Sequence, residues 1–373
     1  MEKGRRGITI LIMLFVILIL TGFTPKEELI PSVEGVIYKN LNHDKLKIDL
    51  YMPEEEGWNE YPVVLFIHGG EWEIGSRDDL ANGDLQEVTQ SFLNEGFVVA
   101  SIDYRGISLR SAFSSGVIDT KDAIRWLKQN AETYHLDGEN IGLWGIDRGG
   151  QIALLAAYTG DRAYQGLDSL AAYSSGVKYV LAYNPITDLV KRYQLDQLHE
   201  LDNQTYITRA KQVYTLMKLS IRNMDQRKEA IRAAIYHSPI TYVAPDAPQT
   251  FLVCSTGGDA LPEEQGKLLK DAFEDNGLTL QMSVLKTGTG RFWNLSADQR
   301  GFLTDISTNY IKTGAFHSEN YTYDLIIYPD PNRMEQIRSS LETEETPEEV
   351  PEETNENTGL WTQILEGVRK WFR

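Results

Sequence analysis

Five short apolar runs constrain the fold of this chain more than any other feature. They are Pro62–Ile67, Phe97–Ile102, Ile141–Trp144, Val177–Ala182 and Thr250–Cys254. Each is apolar on both faces, so each has to be covered from both sides of a sheet. Helical patterns alternate with them: Leu85–Asn94, about Val117–Tyr134, Gln151–Ala157, about Glu263–Asn276 and about Ala297–Lys312. A further strand is expected at Leu278–Leu285, and a hairpin at Gly35–Tyr38 and Lys45–Tyr51, closed near Asn42-His43-Asp44. Strands alternating with helices give an α/β fold with a mostly parallel sheet flanked by helices. Residues 188–236 interrupt the alternation with helix-forming, charge-mixed sequence, which reads as a helical cap between two strands.

The third run leads into Gly145-Ile146-Asp147-Arg148-Gly149-Gly150 and then into a helix. Strand, sharp glycine-rich turn and helix is the context of a G-x-S-x-G nucleophile turn, but the central position is Asp147. Other short motifs fall at the ends of strands: His68-Gly69-Gly70-Glu71-Trp72 with Gly75, then Asp103-Tyr104-Arg105. Asp119 to Leu127 lies in a helix, and Ser238-Pro239-Ile240-Thr241-Tyr242-Val243 follows the cap.

In order and spacing these motifs resemble the esterase and prolyl-oligopeptidase-like branch of the α/β-hydrolase superfamily, over roughly residues 35–313, which places a hydrolase domain at residues 32–313. The resemblance implies an oxyanion hole from the backbone N–H groups of Gly69, Gly70 and Arg148. Glu71 stands where family members often have glycine. It implies Asp147 in the nucleophile slot and Asp259, in Gly257-Gly258-Asp259-Ala260-Leu261-Pro262, as the triad acid. The catalytic histidine of the family falls in a segment that reads Gly288-Thr289-Gly290-Arg291-Phe292 here, which puts Gly290 in its slot. Asp147 has two readings. Aspartate serves as nucleophile in relatives resembling haloalkane dehalogenases and epoxide hydrolases, where a histidine-activated water resolves the ester. Alternatively Asp147 only holds a positive-φ turn. His43, His135, His199, His237 and His317 all read as solvated or structural. With nucleophile and base both unmatched, a binding or scaffolding module is the favoured function, and an active hydrolase rebuilt around Asp147 is the alternative.

Composition bears on partners. A net charge of −18 argues against nucleic acid. The single cysteine, Cys254, rules out an internal disulfide and a multi-cysteine metal cluster, and no cofactor or metal is expected. A small-molecule or protein ligand in the inherited pocket remains open. Lys3, Arg5 and Arg6 precede an apolar run that reaches Phe23, so residues 1–23 read as a signal-anchor in preference to a cleaved signal peptide. The body would then lie on the extracytoplasmic side of a cell membrane, or be secreted if the signal is cleaved. Residues 314–341 form an extension. Residues 342–358 hold eight glutamates and no basic residue, the composition of a disordered linker. Residues 359–373 place Trp361, Ile364, Leu365, Trp371 and Phe372 at helical spacing beside Arg369, Lys370 and Arg373, an amphipathic helix expected to contact membrane.

Overall fold

Eight strands form one sheet in the order β1-β2-β4-β3-β5-β6-β7-β8. They are β1 Val33–Asn40, β2 Lys45–Tyr51, β3 Tyr61–Ile67, β4 Val98–Ile102, β5 Leu136–Ile146, β6 Tyr179–Tyr183, β7 Gln249–Gly257 and β8 Gln281–Gly288. Only β2 runs against its neighbours; from β4 to β8 every pairing is parallel. This computed structural model describes residues 29–42, 44–54, 59–70, 75–81, 83–108, 111–217, 224–257, 262–288, 292 and 294–316. All eight strands belong to the unit Pro31–Arg373.

Both faces of the sheet are covered, as continuous apolar strands require. On one face Trp144 packs on Phe92 of α1 (Leu85–Asn94) and between Phe66 and Tyr183, with centroid distances of 5.1, 4.7 and 5.8 Å to Phe92, Phe66 and Tyr183. The last helix among the described residues, Ala297–Phe316, packs beside α1. On the other face Leu65 and Leu143 join a core with Ala123 and Leu127 of α2 (Ser114–Gln129) and Ile152 of α3 (Arg148–Tyr158).

Several boundaries differ from the sequence pattern for local reasons. The helix expected over 117–134 starts at Ser114 and breaks at Asn130, whose Nδ2 donates to the Trp126 carbonyl at 2.8 Å. One further turn, Ala131–Tyr134, ends in left-handed His135 (φ 53°). Strand β5 begins directly after it, five residues ahead of its apolar run, because Tyr61 N–H bonds the His135 carbonyl and fixes the register. After α6 (Pro262–Asp275), Leu278 N–H reaches back to Phe273 O and Gly277 N–H to Glu274 O. Gly277 at φ 72° completes this helix-ending turn, which delays β8 to Gln281.

The insertion between β6 and β7 is helical as expected. A single turn, Leu189–Arg192, is capped by Asp188, whose Oδ1 accepts from Val190 and Lys191 N–H. Two longer helices follow, α4 Asn203–Met217 and α5 Met224–Tyr236, with Val213, Leu216, Ala230 and Ala234 buried. The last helix of the sheet layer is thus α7, Ala297–Phe316. Among the described residues no helix is long and apolar enough to cross a membrane. The N-terminal apolar run, residues 342–358 and the Trp361, Ile364, Leu365, Trp371 and Phe372 face lie outside the described residues.

Candidate functional site

A single residue separates β5 from α3. Asp147 follows Ile146, precedes the first helical residue Arg148, and has φ 50° and ψ −113°. Its N–H bonds the Tyr183 carbonyl at 2.8 Å, and its own carbonyl accepts from Gln151 N–H. Glycines make so sharp a reversal feasible. A Cβ on Gly145 would stand 2.3 Å from Gly149 O, and one on Gly149 would stand 2.1 Å from Ile67 O. The tolerance of aspartate for positive φ concerns the left-handed helical region near ψ +47°. At ψ −113° that allowance does not apply, so the turn is strained by the order of 1–3 kcal/mol. The expectation that Asp147 sits at positive φ is met, but its ease in the left-handed region does not explain why.

The exit of β3 abuts this turn. A Cβ on Gly69 would lie 3.2 Å from Ile146 O and 3.4 Å from Asp147 Oδ2. Gly70 follows at φ 102°. Gly69, Gly70, Asp147 and the N-terminus of α3 at Arg148 therefore converge at the carboxyl ends of the central strands, where ligands of parallel sheets bind. Gly75, at φ 142°, closes the loop against His68, with no space for a Cβ beside Nδ1.

Behind these backbone groups stands a buried stack absent from the sequence reading. The His68 and Tyr104 rings lie 4.2 Å apart at 18°, and the Arg148 guanidinium sits 4.9 Å from the Tyr104 ring centroid. Tyr104 OH donates to His68 O at 2.7 Å, His68 Nδ1 donates to Gly69 O at 2.9 Å, and Arg148 Nη2 reaches Arg105 O at 3.4 Å. The stack thus ties the loop at Gly69 to the N-terminus of α3 at Arg148. Burial lowers the pKa of His68 and of Arg148. Burial also pushes the Tyr104 phenol up to about 12; Arg148 opposes that shift, whereas the Asp79 and Asp147 carboxylates add to it. The Asp103-Tyr104-Arg105 motif signalled this stack, but only tertiary contact shows that Tyr104 touches His68.

The remaining histidines have structural engagements. His199 is exposed beside Glu200. His237, at the cap exit, is half-buried and packs on Phe113 (4.4 Å), with Tyr164 OH 3.3 Å from Nδ1 and its carbonyl accepting from Gln151 Nε2. His43, His317, Glu71, Asp259, Gly290 and Arg291 lie outside the described residues. Strands β7 and β8 end at Gly257 and Gly288, just before the Asp259 and Gly290 slots. Glycine in the second slot supplies no imidazole whatever its placement.

The family model BD-FAE matches residues 48–273, more than half of the chain. The chain belongs to the BD-FAE family. Esterase LipC of Mycobacterium tuberculosis is 26% identical over 222 residues, 59% of this chain and 50% of LipC. The chain thus spans about half the length of that curated relative. Among solved structures, the propionate-bound thermophilic esterase of Thermogutta terrifontis is similar in fold. Its TM-score is 0.60 at 19% identity, covering 78% of this chain and 97% of that one. A truncated carbohydrate esterase from gut microbiota gives a TM-score of 0.59 at 21% identity, covering 77% and 99%. This BD-FAE member is an α/β-hydrolase-superfamily, esterase-like protein.

Proposed function

We propose that this BD-FAE chain is a pseudo-hydrolase: a binding or scaffolding module on an esterase scaffold, tethered to a membrane with its body on the extracytoplasmic side. One observation carries the catalytic half of that reading. The strained elbow and its glycine packing are kept while the residue they present is Asp147. Losing a triad member leaves only roughly 10³–10⁴-fold acceleration over water, from binding and the oxyanion hole. Here serine is replaced and the histidine slot reads Gly290.

The rival reading takes Asp147 as nucleophile, and its carboxylate beside Gly69 gives that reading its footing. Attack on an epoxide or haloalkane carbon would leave a glycol or alkyl ester on Asp147. Hydrolysing it needs a base-activated water. Among the described histidines, His68 is held in the stack, His237 packs half-buried in the cap contact, His199 is exposed in the cap, and His135 sits in the turn before β5. A screen of the full chain with short-chain nitrophenyl esters, epoxides and haloalkanes separates the two readings. The expected result is no turnover attributable to the site. Turnover abolished by Asp147→Ala would overturn the pseudo-hydrolase reading.

Tethering is supported by the sequence of the N-terminus: basic Lys3, Arg5 and Arg6 ahead of a long apolar run, with no small-residue cleavage pattern after it.

A further inference from the structure

Within the cap, whose residues 188–236 carry nine basic against six acidic side chains, the later part is a basic island on an acidic protein. Residues 203–236 hold seven basic residues against two acidic ones, a net +5 in a chain of −18. Exposed positions on its two long helices carry much of that charge. On α4 the outward stripe is Ile207, Lys211 and Tyr214, spaced i, i+4, i+7, with Ile207 48% and Tyr214 59% exposed. On α5 Lys228 and Arg232 are exposed one turn apart. Among the described residues Lys211, Lys228 and Arg232 take part in no ion pair. Arg209 and Arg227 are engaged within the cap, Arg209 with Gln194 and Gln212 and Arg227 with Tyr206, so the argument rests on Lys211, Lys228 and Arg232. Lys211 on α4 and Lys228 and Arg232 on α5 leave exposed positive charge on both helices, which favours a polyanion with some apolar content.

We propose that the acidic segment 342–358 docks on the outer face of α4 and α5 as an intramolecular clasp on the cap. Its chemistry matches: eight glutamates, no basic residue, and Pro347, Val350 and Pro351 to lie against Ile207 and Tyr214. Its reach is ample. Helix α7 ends at Phe316, and the 25 residues to Glu342 extend to at most about 90 Å. A body of about 290 residues has a radius of gyration of only roughly 19 Å. Helix α4 is about 22 Å long, which roughly seven extended residues cover, so several glutamates meet the face at once. Tethering raises the local concentration of the segment toward the millimolar range, which compensates for the weakness of individual exposed pairs. An anionic lipid surface is the competing occupant. Eight glutamates on the same chain would oppose its approach.

Zero-length carbodiimide cross-linking of the full chain in non-ionic detergent tests the clasp, because it joins only lysines and carboxylates already in contact. Mass mapping should place Glu342–Glu356 on Lys211 and Lys228, at a yield independent of protein concentration. The yield should fall several-fold in 0.5 M salt, where the Debye length is below 8 Å, and likewise in Arg232→Glu. Hydrogen exchange in α4 and α5 should be slower in the full chain than in one ending at residue 341. Cross-links centred instead on lysines such as Lys267 and Lys270, or indifferent to salt and Arg232→Glu, overturn the proposal. So does the absence of both cap cross-links and tail-dependent protection. Binding of the full chain to phosphatidylserine vesicles through Lys211, Lys228 and Arg232, with the acidic segment never cross-linked to the cap, would assign the face to lipid and sink the clasp.

Discussion

Gly149 bears on the site more directly than any charged residue around it. Its missing side chain lets α3 start against the end of β3, with Ile67 O where a Cβ would have to go and His68 O only 2.4 Å from it. Neither neighbour is a flexible side chain, so relief requires moving β3 or the helix. Gly149→Ala is expected to lower unfolding free energy by about 3 kcal/mol or more in denaturant titrations. Gly160→Ala, where nothing lies within 4 Å, should stay within about 0.5 kcal/mol of the parent. Equal effects at the two positions would show that the elbow is not packed as described. The elbow was legible in the sequence because steric rules of this kind leave a fixed glycine spacing. Tyr104 was legible only as part of a motif, since its contact with His68 joins residues 36 apart. The buried trio Lys39, Asp119 and Asp122 was not legible as an ion pair at all. Lysine on an edge strand reads as solvated, yet Lys39 Nζ lies 2.7 and 2.6 Å from the two carboxylates with its side chain 2% exposed.

At the level of elements, the cap is joined to the elbow helix through a titratable contact. His237 follows α5, its carbonyl takes the Gln151 side chain of α3, and its ring is enclosed by Phe113, Tyr164 and Tyr236. Burial lowers its pKa from 6.5 to about 3. Between those values the unfolded chain holds a proton that the folded chain does not. Stability is therefore full above pH 6.5 and declines as pH falls toward 3. The loss from this group by pH 4.5 is roughly 2–3 kcal/mol. His237→Gln removes the titration while leaving the carbonyl contact, so its stability should fall less steeply between pH 6.5 and 4.5. Parallel curves for the two proteins would mean that His237 opens to solvent before the cap unfolds. Sequence pattern located the cap and nearly every strand, because apolar runs and breaks in alternation are local signals. The neighbour order of the strands depends on long-range pairing of β2 with β4 and β3 with β5, which no local signal encodes.

On the scale of the whole molecule, charge is segregated along the chain: a basic start, an acidic body with a basic cap, and the glutamate-rich stretch near the end. The start has its own physical consequence. Gly7 to Phe23 gives 17 residues with no charge, the lower limit for crossing a hydrocarbon core. In the proposed topology Lys3, Arg5 and Arg6 would hold the preceding end inside. A cleaved signal would carry an A-x-A-like site at its exit, whereas this run passes into Thr21-Gly22-Phe23-Thr24-Pro25 with no alanine. The native protein is therefore expected to stay with the membrane under alkaline extraction. Its N-terminal sequence should precede the apolar run, and its body lysines should react with an impermeant amine reagent on intact cells. A mature N-terminus near Thr24 would make it a secreted protein. Labelling only after lysis would reverse the orientation and place the esterase-like body inside.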